Sequence, residues 1–452
     1  MAFEYDEDIG GLCGMMLPKV PVIYETSELE VMNKPPGFVK LLFNCFDIKA
    51  AQLFEYALGH IIDKSFESII GFMYVLPGAF CSFRWKAVCR DETNVASNFL
   101  DSSFVKMVID ANYKTSQEFT LETGNLAQAE DQVITFDVKT RRGCKFKTKY
   151  LPDAIAWTDS VKTFPVLMKQ RKRWINGSWF AFQLCLGVFF EKMNKTLHHP
   201  LRKTAYYCFM IYMIWQNVNR YLLISYIFSL FLIMSQEFLN QYYVVFIPFL
   251  NSQVFYMVYF LVCLYLMYYY SVVFKADHGV GKFQTIATFF GFSIHVFTIL
   301  LVIRLCQTIQ TQNYAVQDTT HIDLRIIYVF LGFNSMYYIV PFLMNLRNCG
   351  WDILKSGVAF FYHMPLYMVF FQIYAFCKID DLTWGTKARE NLALGVKITN
   401  NRIINAKFVG KWLLINFFVG FCKRSVSSDF HTGVGVHVHF SSCLQIRRIF
   451  GF

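Results

Sequence analysis

The sequence predicts an α/β domain running into an α-helical transmembrane bundle of about five to six helices. Three observations carry that expectation. Of 452 residues 55% are hydrophobic, with 49 Phe and 26 Tyr. Charge is distributed unevenly: residues 1 to about 175 carry both signs, whereas most of 204–377 is nearly charge-free. Within the charged part, short apolar runs suited to strands alternate with segments of helical periodicity.

The elements follow in order. Asp6-Glu7-Asp8 reads as a surface turn before Ile9-Gly10-Gly11; a metal-binding D-x-D should end a buried strand, and too little chain precedes it. In residues 53–70, Phe54, Leu58, Ile61, Ile62, Ile69 and Ile70 recur at helical spacing, with Asp63, Lys64 and Glu67 elsewhere. Phe72–Leu76 is a short apolar run closed by Pro77-Gly78, the pattern of a strand meeting a tight turn. Asp131–Val138 reads as a helix, followed by basic loop residues from Lys139 to Lys149.

Beyond Trp174 the membrane pattern begins. Ile175–Phe190 and Thr204–Asn219 are uncharged but too short to span, so they read as interfacial helices. Charge-free stretches follow at Tyr221–Gln236, Phe238–Phe274, Phe283–Ile303, Ile326–Leu346 and Ser356–Cys377. A helix rises about 1.5 Å per residue, so roughly 20 residues cross the roughly 30 Å hydrocarbon core. The last three suffice alone, Phe238–Phe274 holds at least one span, and the first needs its flanks. A short sixth span lies near Trp412–Cys422. The expected organisation is a cytosolic domain over 1–174, interfacial helices over 175–219, membrane helices over 220–377, a loop with a last helix over 378–422, and a tail over 423–452.

Orientation sets two rules against each other. With the first domain cytosolic and five crossings, the segment after Cys377 falls outside. Yet Lys378, Lys387, Arg389, Lys397 and Arg402 make it basic, which favours the inside.

Composition narrows the class. The net charge of +11 suits a protein beside anionic lipid and phosphorylated substrates, and no nucleic-acid motif accompanies it. The 13 cysteines are scattered singly, a pattern of reduced thiols without structural disulfides or zinc. No signal-peptide pattern follows Met1. His295 and His363 fall within spans, and His437-Val438-His439 reads as a solvated tail.

Two clusters can carry chemistry. Glu130-Asp131 offers a carboxylate base, Asp131, whose neighbour raises its proton affinity by like-charge repulsion. Its plainer reading is a helix N-terminus, which favours acidic residues. Gln170-Arg171-Lys172-Arg173-Trp174 offers forked donors for a departing diphosphate, a flat ring for a sugar and an amide for sugar hydroxyls. Its plainer reading is a basic-aromatic anchor at a bilayer edge. In this order, base, clamp and membrane conduit suit an enzyme that polymerises a sugar and exports the chain.

These residues resemble the catalytic core of chitin synthases, processive family 2 glycosyltransferases, across most of 1–415. Ile9-Gly10-Gly11-Leu12-Cys13-Gly14 is similar to Val-Gly-Gly-x-Cys-Gly, and Val75-Leu76-Pro77-Gly78-Ala79-Phe80 to Val-Leu-Pro-Gly-Ala-Phe. The stretch Ala51-Gln52 to Glu55-Tyr56, with Asp63-Lys64 and Glu67-Ser68, resembles the helix between them. Leu126-Ala127 with Ala129-Glu130-Asp131 stands for Leu-Ala-Glu-Asp-Arg, and Gln170–Trp174 for Gln-Arg-Arg-Arg-Trp. Thr383-Trp384-Gly385-Thr386-Lys387 resembles the Ser-Trp-Gly-Thr signature, which cellulose and hyaluronan synthases lack. Departures are Gln132 for an Arg, Cys81 for a Ser and Lys172 for an Arg.

The resemblance implies a partial GT-A-type glycosyltransferase domain. It implies UDP-N-acetylglucosamine as donor, β-1,4 addition to a chitin oligosaccharide, and extrusion through a bilayer, with the catalytic domain cytosolic under a plasma membrane. Asp131, with Glu130, would be catalytic. Gln170, Arg171, Arg173 and Trp174 would meet acceptor and diphosphate, with Pro77, Gly78 and Ala79 near the acceptor sugar and Trp384, Gly385 and Thr386 at the channel. A divalent cation, usually Mg2+, would bridge the donor phosphates. Its ligands and the uridine-binding strands are missing from this chain, so no metal-binding residue is assigned. The chain is therefore expected to be N-terminally truncated and inactive by itself. Alternatives are another membrane polysaccharide synthase, or a non-catalytic family fragment acting as a scaffold. Oligomeric state, a homo-oligomer included, stays open.

Overall fold

The computed structural model describes residues 2–19, 48–88, 121–234, 252–272, 282–296, 350–382 and 401–432, with isolated positions 299, 303 and 343. The chain divides into two compact units, Met1–Asn217 with Cys263–Lys407, and Val218–Val262 with Phe408–Phe452.

In the first unit a three-stranded sheet has the order β2-β1-β3. Its strands are β1 (Ile9–Lys19), β2 (Cys81–Phe83) and β3 (Lys147–Asp159). β1 lies antiparallel to β2 and parallel to β3. As the central strand it is buried almost throughout, which its near-continuous apolar sequence anticipates. β3 corrects the expected basic loop. Lys147 and Lys149 alternate with buried Thr148 and Tyr150, so the lysines line one face of a strand. A register shift between Gly14 and Met15 absorbs the Pro152 region as a bulge.

Helix α1 (Ile48–Leu58) packs Ala51, Leu53, Phe54, Ala57 and Leu58 against Cys13, Met15 and Leu17 of β1. A π turn at Gly59–Lys64 leads into Ser65–Ile70, and Gly71 ends the run at φ +83°. The extra residue per π turn rotates the buried face. Ile69, expected on the apolar stripe, is consequently 81% exposed.

Phe72–Leu76 buries Phe72, Met73 and Leu76 but forms no ladder, which corrects the expected strand. Side chains take its amides instead: Met73 N–H donates to Thr148 Oγ1 (2.8 Å), Tyr74 N–H to Glu67 Oε2 (3.0 Å) and Leu76 N–H to Thr135 Oγ1 (3.1 Å). A buried backbone must be satisfied somehow, and here the alternative to a sheet is a cage of side chains.

Helices α2 (Leu121–Leu126), α3 (Glu130–Thr140) and α4 (Phe164–Asn194) follow. Pro165 starts α4, where its missing N–H costs nothing, and the helix runs unbroken past Trp174. On α5 (Pro200–Tyr221), Tyr206, Phe209 and Met210 close a core with Phe72, Phe136, Phe182 and Phe189.

Three helices among the described residues are long and apolar enough to cross a membrane: Val254–Val272, Ser356–Cys377 and Ile403–Gly420. Of the expected five to six, these three fall among the described residues. Ile326–Leu346 lies outside the described residues, and Phe283–Ile303 is described as helix over 282–296. The span near Trp412–Cys422 belongs to a longer helix, Asn401–Thr432, because Lys407 and Lys411 interrupt the apolar count without interrupting the helix. Ser356–Cys377 carries a π turn, Leu366–Phe370, just after Pro365, whose missing N–H breaks the regular ladder.

In the second unit, a break at Leu222 is held by side chains from Asn401–Thr432. The Tyr221 carbonyl accepts from Trp412 Nε1 (2.8 Å) and Asn416 Nδ2 (3.0 Å). Ser225 N–H, at the start of Leu223–Met234, donates to Asn416 Oδ1 (3.1 Å). Phe228 packs at a tilt against Phe260 and edge-on against Phe417 around this point. Helix ends in an apolar setting need such partners.

Candidate active site

Glu130 and Asp131 open α3, where negative charge is favoured by the helix dipole. Val133, Phe136 and Val138 anchor the helix in the core. The half-buried Asp131 accepts from the Gln132 amide at 2.9 Å. Burial, and then repulsion from Glu130, raise its carboxyl to about 6; hydrogen bonds from the Gln132 and Gly78 amides and the charge of Lys64 oppose that rise. Gly78 belongs to an exposed turn closed by Phe80 N–H to Pro77 O (3.0 Å). The structure thus brings Pro77-Gly78-Ala79 to Asp131.

The pentad lies on α4, where successive residues step about 100° around the axis. Gly177, further along, lets that helix close on Ala129; a Cβ there would meet the Ala129 side chain at 3.0 Å. Arg173, half-buried, faces Glu130 and Asp131, whose charges oppose the downward pull of burial on its guanidinium. The Gln170 Oε1 is buried with no hydrogen-bond partner among the described residues. Trp174 packs near Tyr56, with ring centroids 6.4 Å apart.

Arg171 and Lys172 are placed differently. Arg171 donates to Glu55 Oε2 at 2.6 Å, and its guanidinium lies 4.2 Å over the Trp174 ring. Lys172 is 1% exposed and bonds both the side chain (2.8 Å) and the carbonyl (2.9 Å) of Asp381. Gln132, where the resembled motif has Arg, donates to Ser178 Oγ at 2.5 Å.

Sequence reasoning missed what holds residues 375–382 beside this site. Asn176 Nδ2 donates to Ala375 O (2.8 Å), Asn125 Nδ2 to Ile379 O (3.0 Å) and Gln128 Nε2 to Leu382 O (2.6 Å). Only the buried Asn125 and Asn176, with Gln128 in the turn after α2, could have hinted at them. Trp384, Gly385 and Thr386 lie outside the described residues, as do His437 and His439. Asp6-Glu7-Asp8 is a turn, and Asp6 pairs with Lys147 at 2.5 Å. Among the described residues no three His, Cys, Asp or Glu side chains cluster as metal ligands, so these residues do not fit a metal centre.

Comparison with known proteins matches residues 1–188 to a chitin synthase-like glycosyltransferase domain. The chain is 28% identical over 372 residues to chitin synthase 1 of Saccharomyces cerevisiae, covering 79% of this chain and 30% of that protein. It is 28% identical over 408 residues to chitin synthase 2 of Candida albicans, covering 85% and 38%. For chitin synthase C of Aspergillus oryzae the identity is 27% over 399 residues, covering 85% and 39%. The chain thus spans between 30% and 39% of the length of these relatives.

Proposed function

We propose, from the premise that residues 1–188 form a chitin synthase-like glycosyltransferase domain, that the protein takes part in transferring N-acetylglucosamine from UDP-N-acetylglucosamine to a β-1,4-linked chitin chain. The observation that carries this reading is the Asp131 carboxyl, raised to about 6 between the Gly78 turn and Arg173. Such a group is ionised at neutral pH and still basic enough to accept a proton. Asp131 removes the proton from the acceptor hydroxyl, whose oxygen bonds to the anomeric carbon while the bond to the diphosphate breaks. Attack opposite the leaving group inverts the α-linked donor to a β product. Arg173 offsets charge on the diphosphate, Trp174 carries a sugar ring on the face away from Arg171, and the Gln170 Oε1 accepts from a sugar hydroxyl. Arg171, fixed by Glu55, supports Trp174 from behind.

The test is Asp131→Asn in membranes from cells expressing the complete gene, supplied with labelled UDP-N-acetylglucosamine and, in competition, UDP-glucose. Chitinase-sensitive polymer should form from the first donor and fall at least about 100-fold in the variant, with protein levels unchanged. Retained synthesis would sink the base assignment. Polymer from UDP-glucose instead would favour another polysaccharide synthase.

Contacts within the first unit support a reading of the membrane arrangement. Ser356–Cys377 touches the α/β domain along its length: Gly357 and Phe360 meet Phe54, Tyr367 lies by Arg171, and Phe376 packs on Trp179. We read it as a helix on the membrane-facing side of the domain rather than a crossing. Counted from the five crossings expected from sequence, one fewer would put the basic segment after Cys377 on the side of Asp131, and both orientation rules would then favour a cytosolic face there. Cysteines placed at positions 353 and 380 should label from the same face; labelling from opposite faces would restore the crossing.

A further inference from the structure

We propose that Thr135 is a positioning residue that ties the Pro77–Ala79 turn to Asp131, with Lys64, Glu67, Lys139 and Thr148 completing a side-chain clamp on Met73–Leu76. The inference rests on Asp131 being the base of the proposed transfer.

One hydroxyl makes both connections. Thr135 is fully buried on α3, one turn after Asp131. Its Oγ1 donates to the Asp131 carbonyl at 2.6 Å and accepts the Leu76 amide at 3.1 Å, immediately before Pro77. The remaining contacts bear on the same short segment. Lys64 Nζ donates to Val75 O at 2.8 Å, and the buried Lys139 Nζ donates to Met73 O while lying 3.9 Å from the Phe72 ring centre. Thr148 and Glu67 accept the Met73 and Tyr74 amides.

Five side chains therefore satisfy backbone that a strand would have paired. A strand at this position would add an edge to a sheet, whereas the clamp ends the segment against α3. The turn's distance from the carboxylate is then fixed by Thr135 and not by sheet geometry. Groups facing Asp131 are Glu130 on its own helix, Arg173 from α4, Lys64 from the π turn and Cys81 from β2.

The experiment pairs Thr135→Val, nearly equal in volume but without the hydroxyl, with Thr135→Ser, which keeps it. In the valine variant kcat should fall about 10- to 100-fold, the effect of a small misplacement at a reacting centre. KM for UDP-N-acetylglucosamine should not change. The acid limb of the activity profile should move upward from about 6, because the Gly78 amide no longer stabilises the ionised carboxylate. Serine should restore both. An unchanged kcat and acid limb in the valine variant would overturn the proposal, as would a serine variant equally damaged. Amide exchange on the unsubstituted protein decides the clamp even if the valine variant fails to accumulate. Slow exchange at Met73, Tyr74 and Leu76 is expected, and exchange at the rate of an open loop overturns it. An unsubstituted product of the complete gene that makes no chitin would contradict the proposed activity and leave the exchange result standing on its own.

Discussion

Arg171 and Arg173 carry the same charge two positions apart on one helix, and their surroundings are opposite. Arg171 is 6% exposed, ion-paired with Glu55 and stacked on Trp174. Arg173 looks across at Glu130 and Asp131. Two steps of about 100° place them roughly 160° apart around the axis. A run of basic letters is thus two devices: one face fastens the helix and its tryptophan to the domain, and the other meets the candidate base. Lys172 belongs with the fastening side, through Asp381.

The strongest way to break this contrast is to remove each arginine. Arg173→Ala should lower turnover about 100- to 1,000-fold, as losing a positioned cation or donor does, while thermal unfolding in detergent stays where it was. Arg171→Ala should do the reverse in kind. It strands Glu55 and uncovers Trp174, costing about 3 kcal/mol of stability, with the melting point falling by several degrees. If Arg171→Ala abolished turnover with stability intact, the two faces would not be distinct. Lys172→Met should come next, destabilising by about 1–2 kcal/mol, because it removes the ion pair with the partly exposed Asp381.

The smallest effect sharpens the catalytic face. Asp131 has its carboxyl raised to about 6, so it holds a proton below that pH and cannot accept another. Activity should therefore be lost as pH falls through about 6. Glu130→Gln removes the repulsion that contributes to the rise, so the limb should move to lower pH. A profile that is flat across this range, or one that shifts upward, would count against Asp131 as the base. Folding has the matching sign. A carboxyl raised in the folded state disfavours that state once ionised, so Asp131→Asn should not lower stability at neutral pH.

How much could be read beforehand depends on the range of the interaction. The Glu130-Asp131 helix start, the Pro77-Gly78 turn and the first amphipathic helix were legible because caps, turn residues and periodicity act over a few positions. The rotated face at Ile69 was not, since a π turn leaves little mark in composition. Phe72–Leu76 has the letters of a strand, but whether an apolar run pairs with a strand or with side chains is settled by its neighbours. Hydropathy likewise read Ser356–Cys377 as a full span and placed only a short one near Trp412–Cys422, where the structure has Ile403–Gly420. Within their apolar windows 61% of the first and 28% of the second is buried inside the protein, so the second leaves more of its apolar surface uncovered.

The sequence by itself determined that a mixed helix-and-strand domain precedes apolar helices, that an acidic pair opens a helix, and that a basic-aromatic pentad follows it. Those are consequences of local backbone preference and of the cost of placing charge in hydrocarbon. Only the tertiary structure decided which arginine faces the carboxylates, because the deciding partner of Arg171 is Glu55, 116 positions away. Lys172 was settled by Asp381, 209 positions away. Burying a charge is tolerable only beside its counter-charge, and which counter-charge arrives is a property of the fold.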